Sequence, residues 1–326
     1  AAVPAVPYAA WVFIIAAIIT VVNYFGVQIA ARTNLILVGI MGAIVMIFVV
    51  VCAYAVTQGT GEGTLISARP FVNPDGFSSG MLIAGGAIAC FSFLGFDSIT
   101  TMAEEALNPK KDIGLSSILA CLVGGGIFII QAYVAQLVWP DYTTFASADT
   151  ALFEVAQLAG GAVLAGLYTF AVIISTLTAG LTGQSSAARL MFGMGRDEVL
   201  PKKFFTHLHP KYKTPSYNIF IMCFIGVVGA LAMNIPLVTE LLNFGGLFGF
   251  MCVNLSVIVY YFFKQKERKV ISYLILPALG FLICFYLWIH LSRTALLVGL
   301  SWLAIGFIYA AITTKGFKTK PPILSE

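Results

Sequence analysis

The chain has 326 residues, of which 60% are hydrophobic and only 10% charged, with a mean hydropathy of +0.95. An ordinary soluble domain carries about 25% charged residues, so a cytosolic enzyme, a nucleic-acid binder and a secreted disulfide scaffold are excluded. The formal net charge of +4 is small, and its placement along the chain says more than its size.

A helix needs roughly 20 apolar residues to cross a bilayer. Nine such runs occur, at 8–28, 34–56, 81–104, 114–139, 162–188, 216–233, 238–263, 270–290 and 294–314. They are continuous rather than alternating, which predicts an all-α membrane protein of nine transmembrane helices and not a β-barrel. Basic residues punctuate the runs with one sense. Arg32, Lys110, Lys111, Arg189, Arg196, Lys202, Lys203, Lys211 and Lys213 fall on one side, together with the basic residues of 264–269 and 315–320. Only Arg69 and Arg293 fall on the other. The positive-inside rule makes the first side cytoplasmic and puts the C-terminus there, in a multi-pass protein of the plasma membrane. Nine spans then place the N-terminus outside. The opening Ala1-Ala2-Val3-Pro4 reads as an external loop entering a helix. The expectation is the C-terminal part of a longer protein, preceded by an odd number of spans, with three the number in view.

Between the spans, 57–80 reads as a polar, Gly-rich external loop. Residues 141–161 hold a helix-like stretch at 148–156, and 189–213 is a basic, amphipathic segment suited to the cytoplasmic interface. The six cysteines all lie in apolar stretches without a CxxC pair, and read as small buried hydrophobes. Gly124-Gly125-Gly126 reads as a point of close helix packing. Gly76-Phe77-Ser78-Ser79-Gly80 fits G-x-S-x-G but lacks the strand–turn–helix setting of a hydrolase. His207 and His209 have no third metal ligand nearby in sequence. No metal, cofactor or nucleic-acid partner is indicated.

The third run carries the chemistry. Asp97 sits about sixteen residues from its start at Met81, and an intramembrane carboxylate costs about 2.5–3.5 kcal/mol on insertion scales. Ser92 and Gly95 precede it. Glycine weakens a helix and hydroxyls satisfy freed backbone groups, so 92–96 reads as a helix break of the kind that lines substrate sites in secondary transporters. An unbroken helix with a carboxylate near its polar end is the alternative. Glu104 and Glu105 follow, before the helix stop at Asn108-Pro109 and the exit lysines. Adjacent positions on a helix point about 100° apart, so these two glutamates suit an ion-paired gate or cap and not a catalytic dyad. Ser175, Thr178 and Thr182 share one face of the fifth run, which suits either a pathway lining or ordinary interhelical hydrogen bonds. Asn243-Phe244-Gly245-Gly246 is a second polar, flexible spot. Asn23 and other isolated polar residues within spans read as structural glue.

Two stretches are together distinctive: FSFLGFD…AEEALNPKKDI at 91–113 and RLMFGMGRDEVLPKKFFTHLHPKYKTPSYNI at 189–219. With LLNFGGLFGFMCVNLSV at 241–257, they resemble the amino acid–polyamine–organocation permeases. Within that superfamily the bacterial putrescine importers carry very similar runs. The resemblance implies twelve spans built on a five-plus-five inverted repeat, of which the nine runs are the fourth to twelfth. Residues 1–56 then keep two helices of the first repeat, 57–80 are an external loop, 81–263 form the second repeat, and 264–326 are accessory. It also places Asp97 as the acidic residue of the family's sixth span and Phe91 as an aromatic that touches substrate. The lysine that some relatives use for proton coupling has no counterpart in 34–56.

The resulting expectation is a secondary transporter importing a small amine or amino acid, with a proton as the co-transported ion. Phe91, Ser92, Gly95, Asp97, Ser175, Thr178 and Asn243 are its substrate contacts, and Asp97, Glu104 and Glu105 its gating or coupling groups. A neutral or acidic amino acid permease, an intramembrane enzyme, a channel and a non-transporting fragment are the alternatives.

Overall fold

The computed structural model describes residues 7–72, 79–147, 150–313 and 316; at some helical positions, Phe91, Glu104, Glu105 and Lys110 among them, it describes backbone alone. No strand occurs among the described residues. The helices are α1 (Tyr8–Tyr24), α2 (Val27–Thr57), α3 (Ser79–Phe91), a 3-10 segment (Phe96–Glu105), α4 (Pro109–Val138) and α5 (Ala151–Arg196). They continue with the short α6 (Lys202–Phe205), then α7 (Ser216–Ala232), α8 (Ile235–Val257), α9 (Leu276–Ile289) and α10 (Arg293–Thr313). Two π-helical stretches, Ile258–Lys264 and Ile271–Ile275, extend α8 and lead into α9.

Among the described residues six helices are long and apolar enough to cross a membrane, and α1 and α7 are shorter apolar helices of 17 residues each. The third predicted run is divided: its α-helical part is 13 residues long. Large apolar side chains lie exposed all round, as with Leu35 at 74%, Val163 at 77% and Trp302 at 74%. Such a surface is stable against hydrocarbon and not against water.

The chain forms two compact units. One comprises 1–77, 95–196 and 200–227, the other 78–94, 197–199 and 228–326. In the first, Phe48, Cys52 and Val56 stack every fourth residue along α2 and meet Leu137 and Val138 of α4 and Val155, Ala156, Leu164 and Ala165 of α5. Close approach there depends on bare backbone. A Cβ at Gly160 would sit 3.0 Å from Val51 Cγ1. The next residue, Gly161, has φ 63° and ψ −159° and kinks α5. The break falls where the apolar run was expected to begin, and the longer part beyond it runs on to Arg196. In the second unit α8 packs on α9 and α10. Gly280 makes room for Asn254, Gly299 for Phe244, and Phe244 lies 5.1 Å from Trp288 between ring centroids.

Two smaller expectations hold only in part. Gly124 and Gly126 have open space where a Cβ would stand, while Gly125 between them is buried. Of the cysteines, all unpaired, Cys52 is buried but Cys252 is exposed on α8, where a lipid-facing helix carries an apolar side chain without cost. Gly76, Phe77 and Ser78 of the G-x-S-x-G match lie outside the described residues. The segment after α6 closes a tight turn in which His209 Nδ1 accepts from the Lys211 and Tyr212 amides at 3.2 Å each, while His207 stacks on Tyr217.

The loop after α2 is pinned to the end of α4. The Glu62 amide donates to the Leu137 carbonyl at 2.9 Å, Arg69 pairs with Glu62 at 2.7 Å, and Tyr133 Oη donates to the Leu65 carbonyl at 2.9 Å. Just beyond α4, the hydroxyl and amide of Thr143 donate to Asp141 at 2.6 and 3.0 Å. These bonds, with the Arg69 charge, hold the Asp141 carboxyl below its ordinary value. The folded turn therefore prefers the ionised form, and the stabilisation is full above the unfolded pKa of about 3.9. It is lost as pH falls through the lower, folded value. Trp139 sits on this turn, bonded to Thr144 and stacked on Phe145. Acidification through that window is expected to shift the Trp139 fluorescence reversibly, and Asp141→Asn is expected to remove the transition.

Candidate functional site

The candidate site is the interruption after α3. That helix ends with tightened bonds, Ser92 N to Ala89 O at 3.0 Å and Phe93 N to Cys90 O at 3.1 Å. The chain then turns at Gly95, with φ 111° and ψ −16°, a conformation that glycine adopts without steric cost. The following ten residues are a 3-10 helix. Runs of that form beyond 3–4 residues are uncommon, and a long one marks a strained or hinge-like segment.

Asp97 organises the turn. Its Oδ1 accepts from the Gly95 amide at 3.0 Å, and Ser98 N donates to Gly95 O at 3.0 Å. Thr100 and Thr101 return their hydroxyls to the carbonyls of Asp97 and Ser98 at 2.6 and 2.7 Å. Ser92 and Asp97 are both exposed. The Asp97 carboxylate is thus held by one backbone amide and keeps acceptor capacity for a cation. Asn108 and Pro109 end the segment and open α4, where Asp112 Oδ2 accepts from the Asn108 amide at 3.2 Å.

Each half of the interruption meets a polar stretch within its own unit. In the second unit, Leu94 seats on Gly246, next to the Asn243–Gly246 stretch of α8. Asn243 is 3% exposed, and its Oδ1 has no hydrogen-bond partner among the described residues. In the first unit, Gly95 and Ser98 line a cleft with Thr182 of α5. The face predicted on α5 divides: Thr178 is buried and donates to its own helix at Ser175 O, 2.9 Å away, Ser175 is exposed, and Thr182 accepts from Asn34 at 3.2 Å. The side chains of Phe91, Glu104 and Glu105 lie outside the described residues.

Sequence reasoning passed over Asn34, Gln184 and Glu240. Gln184 joins Asn23 to Thr20, and Glu240 of α8 accepts from the Ser292 hydroxyl before α10. The signal that could have found them is a polar side chain within or at the end of an apolar run, which calls for a partner.

A family model described as amino acid permease matches residues 1–320. The chain is 38% identical to the low-affinity putrescine importer PlaP of Escherichia coli (strain K12), over 99% of this chain and 72% of that protein. It is 30% identical to the branched-chain amino acid permease BcaP of Bacillus subtilis (strain 168), over 91% of this chain and 62% of that one. It is 29% identical to the chloroplastic cationic amino acid transporter 9 of Arabidopsis thaliana, over 78% of this chain and 43% of that one. The family and these relatives are membrane transporters and not enzymes. With its apolar helices and an interrupted one among them, the chain belongs to the amino acid permease family.

Proposed function

We propose that the protein imports a small primary amine of the putrescine class across the bacterial plasma membrane, coupled to protons. The observation that carries the reading is the carboxylate of Asp97, exposed at a helix interruption and held by the Gly95 amide. A protonated amine gives it a charge-assisted partner. In this reading Asp97 binds the ammonium or exchanges the coupling proton, and Phe91 offers a cation–π face by its position at the end of α3. Ser92 and Asn243 in one unit, and Gly95, Ser175 and Thr178 in the other, are the remaining candidate contacts. Glu104 and Glu105 serve as the gate. The identity to a putrescine importer supports the substrate class.

The finer architecture belongs to the same proposal. The nine runs are the fourth to twelfth spans of a twelve-span inverted repeat, 81–263 is the second repeat, and the basic loops and C-terminus face the cytoplasm. Transport proceeds by movement of one helix bundle against the other. The identity to a branched-chain amino acid permease favours a second reading, in which the substrate is a neutral amino acid.

Uptake of radiolabelled putrescine by the intact gene product in proteoliposomes tests the proposal. Saturable uptake driven by an imposed pH gradient, competed by unlabelled cadaverine and not by leucine, is the expected result. Competition by leucine alone would establish the second reading instead.

A further inference from the structure

The turn around α6 carries charge that the transport reading does not use. Residues 199–239 contain no aspartate or glutamate, and Lys203, Lys211 and Lys213 in that stretch are exposed. Among the described residues no carboxylate pairs with any of these three lysines. Lys213 holds a left-handed backbone, with φ 55°, a conformation that glycine or asparagine adopts more readily than lysine.

The frame that presents the lysines is rigid. The His209 amide donates to the Thr214 carbonyl at 2.8 Å, and the Lys213 amide to the His209 carbonyl at 2.9 Å. Thr214 Oγ1 donates to the carbonyl of Tyr24, the last residue of α1, at 3.0 Å. Asn218 of α7, which is buried, donates to the carbonyls of Phe205 and Ala188 at 2.9 and 3.2 Å. At the end of α5, a Cβ on Gly195 would stand 2.6 Å from Phe205 Cβ, so bare backbone lets α6 pack close. The turn is therefore tied to α1, α5 and α7, and a ligand that meets its lysines has little backbone left to order.

The neighbouring rings say what that ligand is. Tyr217, Phe220 and Phe224 are exposed along one face of α7 at i, i+3 and i+7 spacing, a surface that suits hydrocarbon. Phe204 of α6 is exposed too and packs on Tyr217, with ring centroids 5.1 Å apart. It extends the lipid-facing stripe past the first turn of α7, and Lys203 stands next to it in the chain. Aromatic rings at the end of such a stripe, with lysines beside them, fit the headgroup level of a bilayer. A soluble acidic partner would answer the lysines but leave Phe204 and Leu208 against water; a lipid with an anionic headgroup answers both.

We infer that the α6 turn binds the phosphate headgroups of anionic lipids and so holds the end of α5 at the membrane surface. The inference goes beyond the transport reading and does not depend on which molecule is carried.

Contact quenching tests it. In the intact protein with its six native cysteines replaced, Leu208→Cys carries a fluorescent label. The protein is reconstituted into phosphatidylcholine vesicles in which phosphatidylglycerol is a minority lipid. Phosphatidylglycerol with a nitroxide near the head of its acyl chain is compared with phosphatidylcholine carrying the same nitroxide. The phosphatidylglycerol is expected to quench at a severalfold lower fraction of the membrane. A lysine near an anionic surface corresponds to about a fivefold preference. Lys203→Gln, Lys211→Gln and Lys213→Gln together should therefore bring the two lipids level. A label at Phe224→Cys, on the stripe itself, should be quenched by both alike. Equal quenching by the two lipids at Leu208→Cys, or a preference that survives the triple variant, would overturn the inference. If inorganic phosphate alone changes the label and phosphatidylglycerol shows no preference, the occupant is a free anion and the lipid assignment falls.

Discussion

Asp97→Asn is expected to lower the kcat/KM for putrescine uptake by about 10- to 100-fold while leaving the protein folded. A hydrogen bond to a charged group contributes about 1.5–3 kcal/mol, and a tenfold effect corresponds to about 1.4 kcal/mol. The substitution is informative because it is nearly isosteric. An asparagine oxygen still accepts from the Gly95 amide, now 3.0 Å from the carboxylate, so the turn survives and only the charge is lost. Asp97→Leu removes both and is expected to lower folded yield as well. If Asp97 also carries the coupling proton, residual uptake by the asparagine variant becomes insensitive to an imposed pH gradient. Unchanged kcat/KM and unchanged pH response in Asp97→Asn would remove this residue from the mechanism.

The largest effect on stability is expected at Gly61. Its φ is +67°, and a Cβ there would stand 2.1 Å from the Leu137 carbonyl oxygen and 2.5 Å from that of Val138. Both are backbone atoms at the end of α4, and neither can swing aside as a side chain would. Accommodating alanine means moving the loop off the helix end and giving up the bond from Glu62 N to Leu137 O. Left-handed backbone costs a non-glycine residue about 1–2 kcal/mol, and with a lost hydrogen bond and a backbone shift the total reaches about 3–5 kcal/mol. Thermal unfolding in detergent should fall by about 10 °C. Gly59 and Gly63 provide the control. They have φ of +95° and +70°, but a Cβ at either position would meet nothing within 4 Å. Gly59→Ala and Gly63→Ala therefore carry the conformational cost alone and should lose about a third as much. Equal losses at all three positions would show that the clash with α4 is not what holds the loop.

Hydropathy located the helices because the bilayer imposes a length and forbids unpaired backbone polar groups. Each of the nine apolar runs overlaps a helix or an interrupted helix. The interruption at 92–95 was legible for a local reason, since Ser92, Gly95 and Asp97 are poor company for a buried continuous helix. Its continuation was not: nothing in Phe96–Glu105 announces ten residues of 3-10 geometry, which depends on the Thr100 and Thr101 hydroxyls turning back on the chain. The break in α5 at Gly161 was legible in outline, because the apolar run begins at the next residue. The pairing of Asn23 with Gln184 and of Asn34 with Thr182 was beyond reach for a different reason. Spans that are apolar all round have no stripe to say which face turns inward, so the partners of their polar residues follow only from tertiary packing.

Substrate protection of a cysteine placed at the interruption tests most directly whether that segment borders the transport route. In a background with the six native cysteines replaced, Ser92→Cys should react with a membrane-impermeant thiol reagent. Putrescine at about ten times its dissociation constant should slow that reaction about tenfold, as occupancy requires. Thr64→Cys, exposed in the loop after α2, should react and show no protection. A Ser92→Cys that never reacts, or reacts at a rate indifferent to substrate in a protein that still transports it, would contradict the account.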